Sequence, residues 1–314
     1  MIDYNTSLVN TKTQFSTWKK SVNRIVPEAW PKIKPKFYFT KDDVVFTIGS
    51  CFARNIEKHL KKAGCSVPTF YFGVPKDEWK FRRNGILNKY TPASIFQDIS
   101  WAAENYSFGK FNPKSCSKFM YLCDDGQVID TNLGGFIPVS SERFYQRRKE
   151  ICKIYMNLFK AECIVITLGL IETWFDNKEK YYIQTAPIQR YINDKDRFLF
   201  ETLTYNKCFK FIQDSFDIII KINPNAKFLI TTSPVPLERT FSNQDVITAN
   251  LQSKSVLRAV CGELVSQNEN VDYFPSFESV MLTKSWDIWM EDYRHVSDEF
   301  VFKIVSNLIE LYFK

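Results

Sequence analysis

Histidine is scarce in this 314-residue chain: only His59 and His295 are present, so any imidazole-dependent reaction must run through one of them. Paired cysteines are absent. The eight thiols, Cys51, Cys65, Cys116, Cys123, Cys152, Cys163, Cys208 and Cys261, are spread along the chain without a C-x-x-C, a spacing that fits neither a zinc ribbon nor a compact disulfide scaffold. One histidine among distant carboxylates gives no metal-ligand spacing, so no metal is expected. No stretch approaches about 18 uninterrupted apolar residues, the usual minimum for a spanning helix. The first twenty positions include Asp3, Asn5 and Lys12 and hold no secretory apolar region. These absences lead to the expectation of a cytoplasmic protein with reduced thiols and no membrane span. Charge of one sign is also weak. With 42 basic and 35 acidic residues the net charge is +7 and dispersed, which argues against a nucleic-acid partner and leaves room for anionic ligands. The oligomeric state is not readable.

What is present describes a folded protein: 45% hydrophobic and 25% charged residues are ordinary globular values. Short apolar runs alternate with longer amphipathic ones, the pattern of strands feeding crossover helices in a mostly parallel sheet. Strands are expected at Val44 to Ile48, Cys163 to Leu168, Lys227 to Thr232 and Val271 to Phe274, with a weaker one through Pro68 to Phe72. Phe52, Ile56 and Leu60 mark one helical face, Val256, Ala259, Val260 and Leu264 a second, and Val301, Ile304, Val305, Leu308 and Tyr312 a third. The strands are nearly all apolar rather than alternating, as expected when helices cover both faces, so the fold class is a three-layer α/β/α domain. Turn chemistry at Asp124-Asp125-Gly126 and around Asp176-Asn177 predicts two hairpins inserted near 110–140 and 174–190. With no repeat, linker or low-complexity tract, residues 1–314 are expected to form one domain, a wrapping arm over 1–40 and a core over 41–314.

Two segments carry chemistry. Val44 to His59 reads as strand, tight turn and helix, with Gly49-Ser50-Cys51 at the turn. A side chain there projects from the carboxyl edge of a strand and sits at a helix N-terminus, where free N–H groups and the helix dipole favour a thiolate or an oxyanion. Arg54, one turn on, can add positive charge. By position alone Cys51 is either a nucleophile or one of eight packing thiols. The second segment is Asp292-Tyr293-Arg294-His295, where an aspartate three residues ahead of a histidine can hold the Nδ1 proton and aim Nε2 at a nucleophile. His59, among Lys58, Lys61 and Lys62 late in its helix, reads as a structural cation on the helix surface.

The run Thr47-Ile48-Gly49-Ser50-Cys51-Phe52-Ala53-Arg54 resembles the signature of GSCFA-domain proteins. The likeness continues through Thr167 to Trp174, Thr232 to Leu237, Ala249-Asn250 with Ser253-Lys254-Ser255, Tyr273 to Ser276, and Asp292 to His295. The family is similar to a branch of the SGNH/GDSL hydrolase superfamily. That resemblance implies a flavodoxin-like, five-stranded sheet of order 2-1-3-4-5, with the ligand outside the carboxyl ends of the first and third strands. It implies a catalytic set of Cys51, His295 and Asp292, with Cys51 rather than Ser50 aligned on the nucleophile. Ile171 stands where many superfamily members place an oxyanion-hole asparagine and has no donor. The oxyanion is therefore expected at the Cys51 N–H with another donor such as Asn88 in the Asn84 to Tyr90 loop, while Gly169 and Glu172 face the site.

The function implied is acyl transfer: His295 deprotonates Cys51, the thiolate takes an acyl group, and water or an acceptor hydroxyl resolves the thioester. The resemblance points to adding or removing an acetyl group on a glycan or glycan precursor, with no required cofactor and acetyl-CoA as a possible donor. The alternatives are an esterase using Ser50 and a non-catalytic binding module of polysaccharide biosynthesis. Trp101, Tyr106, Trp174, Tyr181 and Tyr182 are candidates for a sugar-stacking surface or for the core.

Overall fold

The computed structural model describes residues 1–314 except 14, 136 and 188–191. In chain order its helices are α1 (Tyr4–Thr11), α2 (Cys51–Lys62), α3 (Pro92–Ser107), α4 (Ser141–Tyr155), α5 (Tyr205–Ile222), α6 (Val246–Gln267), α7 (Ser276–Leu282) and α8 (Asp298–Tyr312). The strands are β1 (Val45–Gly49), β2 (Met120–Leu122), β3 (Val128–Asp130), β4 (Cys163–Leu168), β5 (Glu172–Asp176), β6 (Tyr181–Ile183), β7 (Phe198–Thr202), β8 (Lys227–Thr232) and β9 (Val271–Tyr273). Four strands, β1-β4-β8-β9, form the central sheet, and every pair in it is parallel.

Alternation along these strands divides the core between two faces. Phe46, Ile48, Ile164, Ile166, Phe228 and Ile230 belong to one buried cluster, which includes residues of α3, α4, α5 and α6. Val45, Val165 and Leu229 point into the other, built with α2 and α8. Both sheet faces are thus covered, which is why the strands carry no polar alternation. Trp30, Phe37 and Phe39 of the N-terminal segment pack into the second cluster, and Phe39 bridges to Phe313, whereas α1 buries none of its residues. Among the described residues no helix is long and apolar enough to cross a membrane.

The fifth strand is where the sequence expectation fails. The second strand of the expected order, at the sheet edge beside β1, is reduced to one parallel bridge, Val44 to Ser66, with Val45 N–H donating to Ser66 C=O at 2.8 Å. Pro68 has no N–H to extend a ladder and instead opens a 3-10 turn, Pro68–Tyr71. The remaining order corresponds to 1-3-4-5. The β2–β3 hairpin forms at its predicted place. The second insertion is larger than a hairpin: β5 pairs with β6 and also with β7, giving a three-stranded antiparallel sheet. No local pattern marks β7, because its partner β5 lies back in the chain beyond β6, across residues 177–197.

Candidate active site

The register of β1 against β4 pairs Gly49 with Thr167, so the turns that leave these two strands start side by side at the carboxyl edge of the sheet. Gly49 has φ of +137°, and a Cβ there would lie 2.3 Å from the Thr167 carbonyl oxygen, so the crossing admits only glycine. Gly169 is constrained by proximity instead, since its Cβ would meet the Tyr90 carbonyl at 2.8 Å. A pocket of about 620 Å³ opens over this edge, lined by residues that follow β1, β4 and β8, including Ser50, Cys51, Gly169 and Val235, and by Tyr90, Glu172 and Arg294.

Ser50 is the N-cap of α2. Its hydroxyl accepts from the Phe52 N–H at 3.3 Å and lies 3.1 Å from the Thr167 hydroxyl, while its own N–H donates to Thr167. Buried and engaged on both sides, Ser50 acts as the cap that starts the helix. Cys51 is the first helical residue and is partly exposed to the pocket. The N–H groups of Ser50 and Phe52 are bonded, whereas that of Cys51 meets no acceptor among the described residues. Six of the other seven thiols are buried, and burial pushes Cys116, Cys208 and Cys261 up to about 12, which keeps them protonated and inert.

Asp292 and His295 sit on one tight turn. Asp292 Oδ1 accepts from the Arg294 and His295 N–H groups at 3.0 and 2.9 Å, and Oδ2 receives His295 Nδ1 at 2.5 Å. The turn places Tyr293 at φ +51°, in the left-handed region, and the Asp292 bonds hold it there. These bonds keep the Asp292 carboxyl well below the ordinary carboxylate range. Interaction with the Cys51 thiol leads the influences that raise His295 above 6.5; burial opposes it, the Asp292 bond adds to it, and the Arg294 charge opposes it. The thiol–imidazole approach falls short of regular hydrogen-bond geometry, and Nε2 lies 3.2 Å from Arg294 Nη1. Because a guanidinium only donates, that contact makes Nε2 the acceptor and leaves the ring proton on Nδ1, facing Asp292. Arg294 lines the pocket and also donates to the Pro236 carbonyl at 3.2 Å, so it ties the histidine turn to the loop after β8.

Three expectations, for Asn88, Arg54 and His59, are corrected. Asn88 does not line the pocket: its amide donates to the Tyr90 hydroxyl at 3.1 Å and so stands one residue removed. Arg54 is buried in an ion pair with Glu57 at 2.8 Å and donates to the Thr47 carbonyl, so its charge is not offered to a ligand. Glu172 lines the pocket, and its two oxygens accept from the Thr240 hydroxyl and the Phe241 N–H at 2.5 and 3.0 Å. Among the proposed stacking aromatics only Trp174 lines the pocket; Trp101 is core and donates to Ser115, and Tyr181 is buried. His59, expected on the surface of its helix, is buried against Phe302 because α8 packs over that end of α2, and both ring nitrogens are unpartnered among the described residues.

Two residues were missed. Tyr90 lines the pocket within electrostatic range of Cys51, and burial, then the Cys51 charge, push its phenol up to about 12. Its hydroxyl accepts from Asn88, so its own proton remains available to a ligand oxygen. The signal pointed to the right loop, but the hydrogen-bond order of Asn88 and Tyr90 is a tertiary matter. Lys254, quoted only within the family likeness, is 1% exposed and donates to the Gly169 and Val235 carbonyls at 2.7 and 2.8 Å, clamping the loops after β4 and β8. Burial pulls it down to about 7; Cys51 opposes that and Arg294 adds to it.

Compared with known proteins, residues 44–308 match the sequence model of the GSCFA family. No curated protein matches the chain. Among solved structures, it is similar to a carbohydrate esterase family 2 enzyme with a carbohydrate-binding domain from Corynascus thermopiles (Myceliophthora fergusii). That likeness has 13% identity and a TM-score of 0.33, covering 89% of this chain and 67% of the other.

Proposed function

The chain belongs to the GSCFA family, and from that premise we propose that it is an acyl-transfer enzyme using Cys51 as nucleophile, His295 as base and Asp292 as the group that orients the base. The observation that carries this reading is the convergence of a pocket-facing thiol, an unbonded N–H at the same residue and a histidine–aspartate pair from the other end of the chain. His295 Nε2 takes the thiol proton, and the sulfur attacks the acyl carbonyl. The oxyanion is held by the Cys51 N–H and the Tyr90 hydroxyl, and the intermediate collapses as the leaving alcohol recovers the proton from His295. Water or an acceptor hydroxyl, deprotonated by His295, then attacks the thioester and releases Cys51. Arg294 must leave Nε2 before the first proton transfer. A glycan ester or a glycan hydroxyl is the proposed substrate, with acetyl-CoA a candidate donor.

Intact-mass measurement after exposure to an activated acetyl ester and to acetyl-CoA tests the assignment. A single acetyl adduct is expected on the native chain and on Ser50→Ala, accumulating in His295→Ala and absent in Cys51→Ala. An adduct that persists in Cys51→Ala and disappears in Ser50→Ala overturns it in favour of a serine esterase, and no adduct from any donor overturns it in favour of a binding module.

A further inference from the structure

Part of the pocket wall is built by the β5–β6 hairpin, and that part carries polar atoms with no partner among the described residues. Thr173 and Gln184 are 3% and 5% exposed, both line the pocket, and neither the Thr173 hydroxyl nor either end of the Gln184 amide is hydrogen-bonded. The Trp174 indole N–H and the Thr185 hydroxyl, on the same wall, are also buried and unpartnered. The ladder explains why Thr173 and Gln184 lie together. β5 and β6 pair Trp174 with Ile183, and one step further in the same antiparallel register sets Thr173 opposite Gln184 on one face.

Leaving such groups unpaired leaves the desolvation cost of burying them uncompensated, and buried polar groups in folded proteins are nearly always bonded. Buried Glu57, by comparison, accepts from Thr69 and Asn84; His59 is unpartnered elsewhere in the core among the described residues, but on this wall five unpartnered atoms gather along one pocket. Both oxygens of Glu172 on this wall are engaged by Thr240 and Phe241, so the atoms left without a partner there all belong to neutral side chains. Trp174 is held edge-on by Phe241, with ring centroids 5.3 Å apart.

We infer that Thr173 and Gln184, with Trp174 and Thr185, form a recognition subsite for a neutral substrate group that presents a hydrogen-bond donor and acceptor side by side. A vicinal diol of a sugar ring and an N-acyl amide share that chemistry. The inference rests on the reading of this pocket as the substrate pocket of the acyl-transfer site.

The test is binding in the Cys51→Ala protein, followed by saturation-transfer NMR titration with methyl glucoside, methyl N-acetylglucosaminide and cyclohexylmethanol. One of the two saccharides is expected to bind and the cyclic alcohol not, and the preferred saccharide identifies diol or amide. Thr173→Val and Gln184→Met, made in the same protein, each weaken that binding about tenfold. Both variants unfold at or above the parent temperature, because the atoms removed have no internal partner. Unchanged binding in both variants, no saccharide binding, or a lowered unfolding temperature overturns the subsite. No acyl transfer enters this readout. Failure to form the Cys51 thioester with saccharide binding intact overturns only the catalytic reading, and a thioester without selective binding overturns only the subsite.

Discussion

Replacing Lys254 by methionine separates the electrostatic cost of this buried lysine from its service as a clamp. The side chain is 1% exposed, and its pKa falls from 10.5 to about 7. A folded pKa below the unfolded one means that the unfolded chain binds more protons between these values, so native stability rises with pH across that window and levels off below about pH 7. At about 1.36 kcal/mol per pH unit, the two units from 7 to 9 amount to about 2.7 kcal/mol. Methionine has no proton to exchange, but it leaves the Gly169 and Val235 carbonyls without the donors at 2.7 and 2.8 Å. That loss costs about 1–3 kcal/mol per carbonyl and does not depend on pH. Urea unfolding of both proteins at about pH 6 and pH 9 cancels the groups they share. The native chain is expected to gain about 3 kcal/mol on Lys254→Met between these pH values. A difference constant within about 0.5 kcal/mol would refute the argument that Lys254 is desolvated in the folded state.

Three further outcomes follow from the site and its supports. Asp292→Asn removes a group that raises His295, so the alkaline rise of acyl transfer should move to lower pH while the rate falls on the order of a hundredfold; a pH–rate profile with an unmoved midpoint contradicts this. Glu57→Gln leaves Arg54 as a buried unpaired cation beneath the nucleophile turn and should lower unfolding stability by about 3–5 kcal/mol, read from the urea midpoint. Burial, then the Lys58 charge, depress His59, so its contribution to stability is present above the unfolded value of 6.5 and lost as pH falls. His59→Phe should flatten the acid side of the unfolding curve, and an unchanged slope between about pH 7 and pH 5 argues against a buried neutral imidazole.

The sheet was legible because its strands are mostly apolar and alternate along the chain with amphipathic helices. Periodicity could not reveal that Pro68 would reduce the expected edge strand to a single bridge, nor that β7 would join β5 from across the second insertion. The site was legible in parts. Ser50 at the helix cap, Cys51 one residue on, and Asp292 three before His295 are local patterns, with physical reasons confined to a few consecutive residues. Arg54 misled because a cation one turn from Cys51 looks available in sequence, whereas Glu57 on the same helix engages it.

The sequence by itself determined the α/β class, the family and the local turn chemistry at both ends of the site, because capping, periodicity and Asx turns act over a few residues. Only the tertiary structure decided which groups face the pocket. It interposed Tyr90 between Asn88 and the ligand space, sank Lys254 beneath two loops and left Thr173 and Gln184 unpaired on one wall. Each of these depends on the packing of segments distant in the chain, where burial and the available partners, not the side chain's own chemistry, set its role.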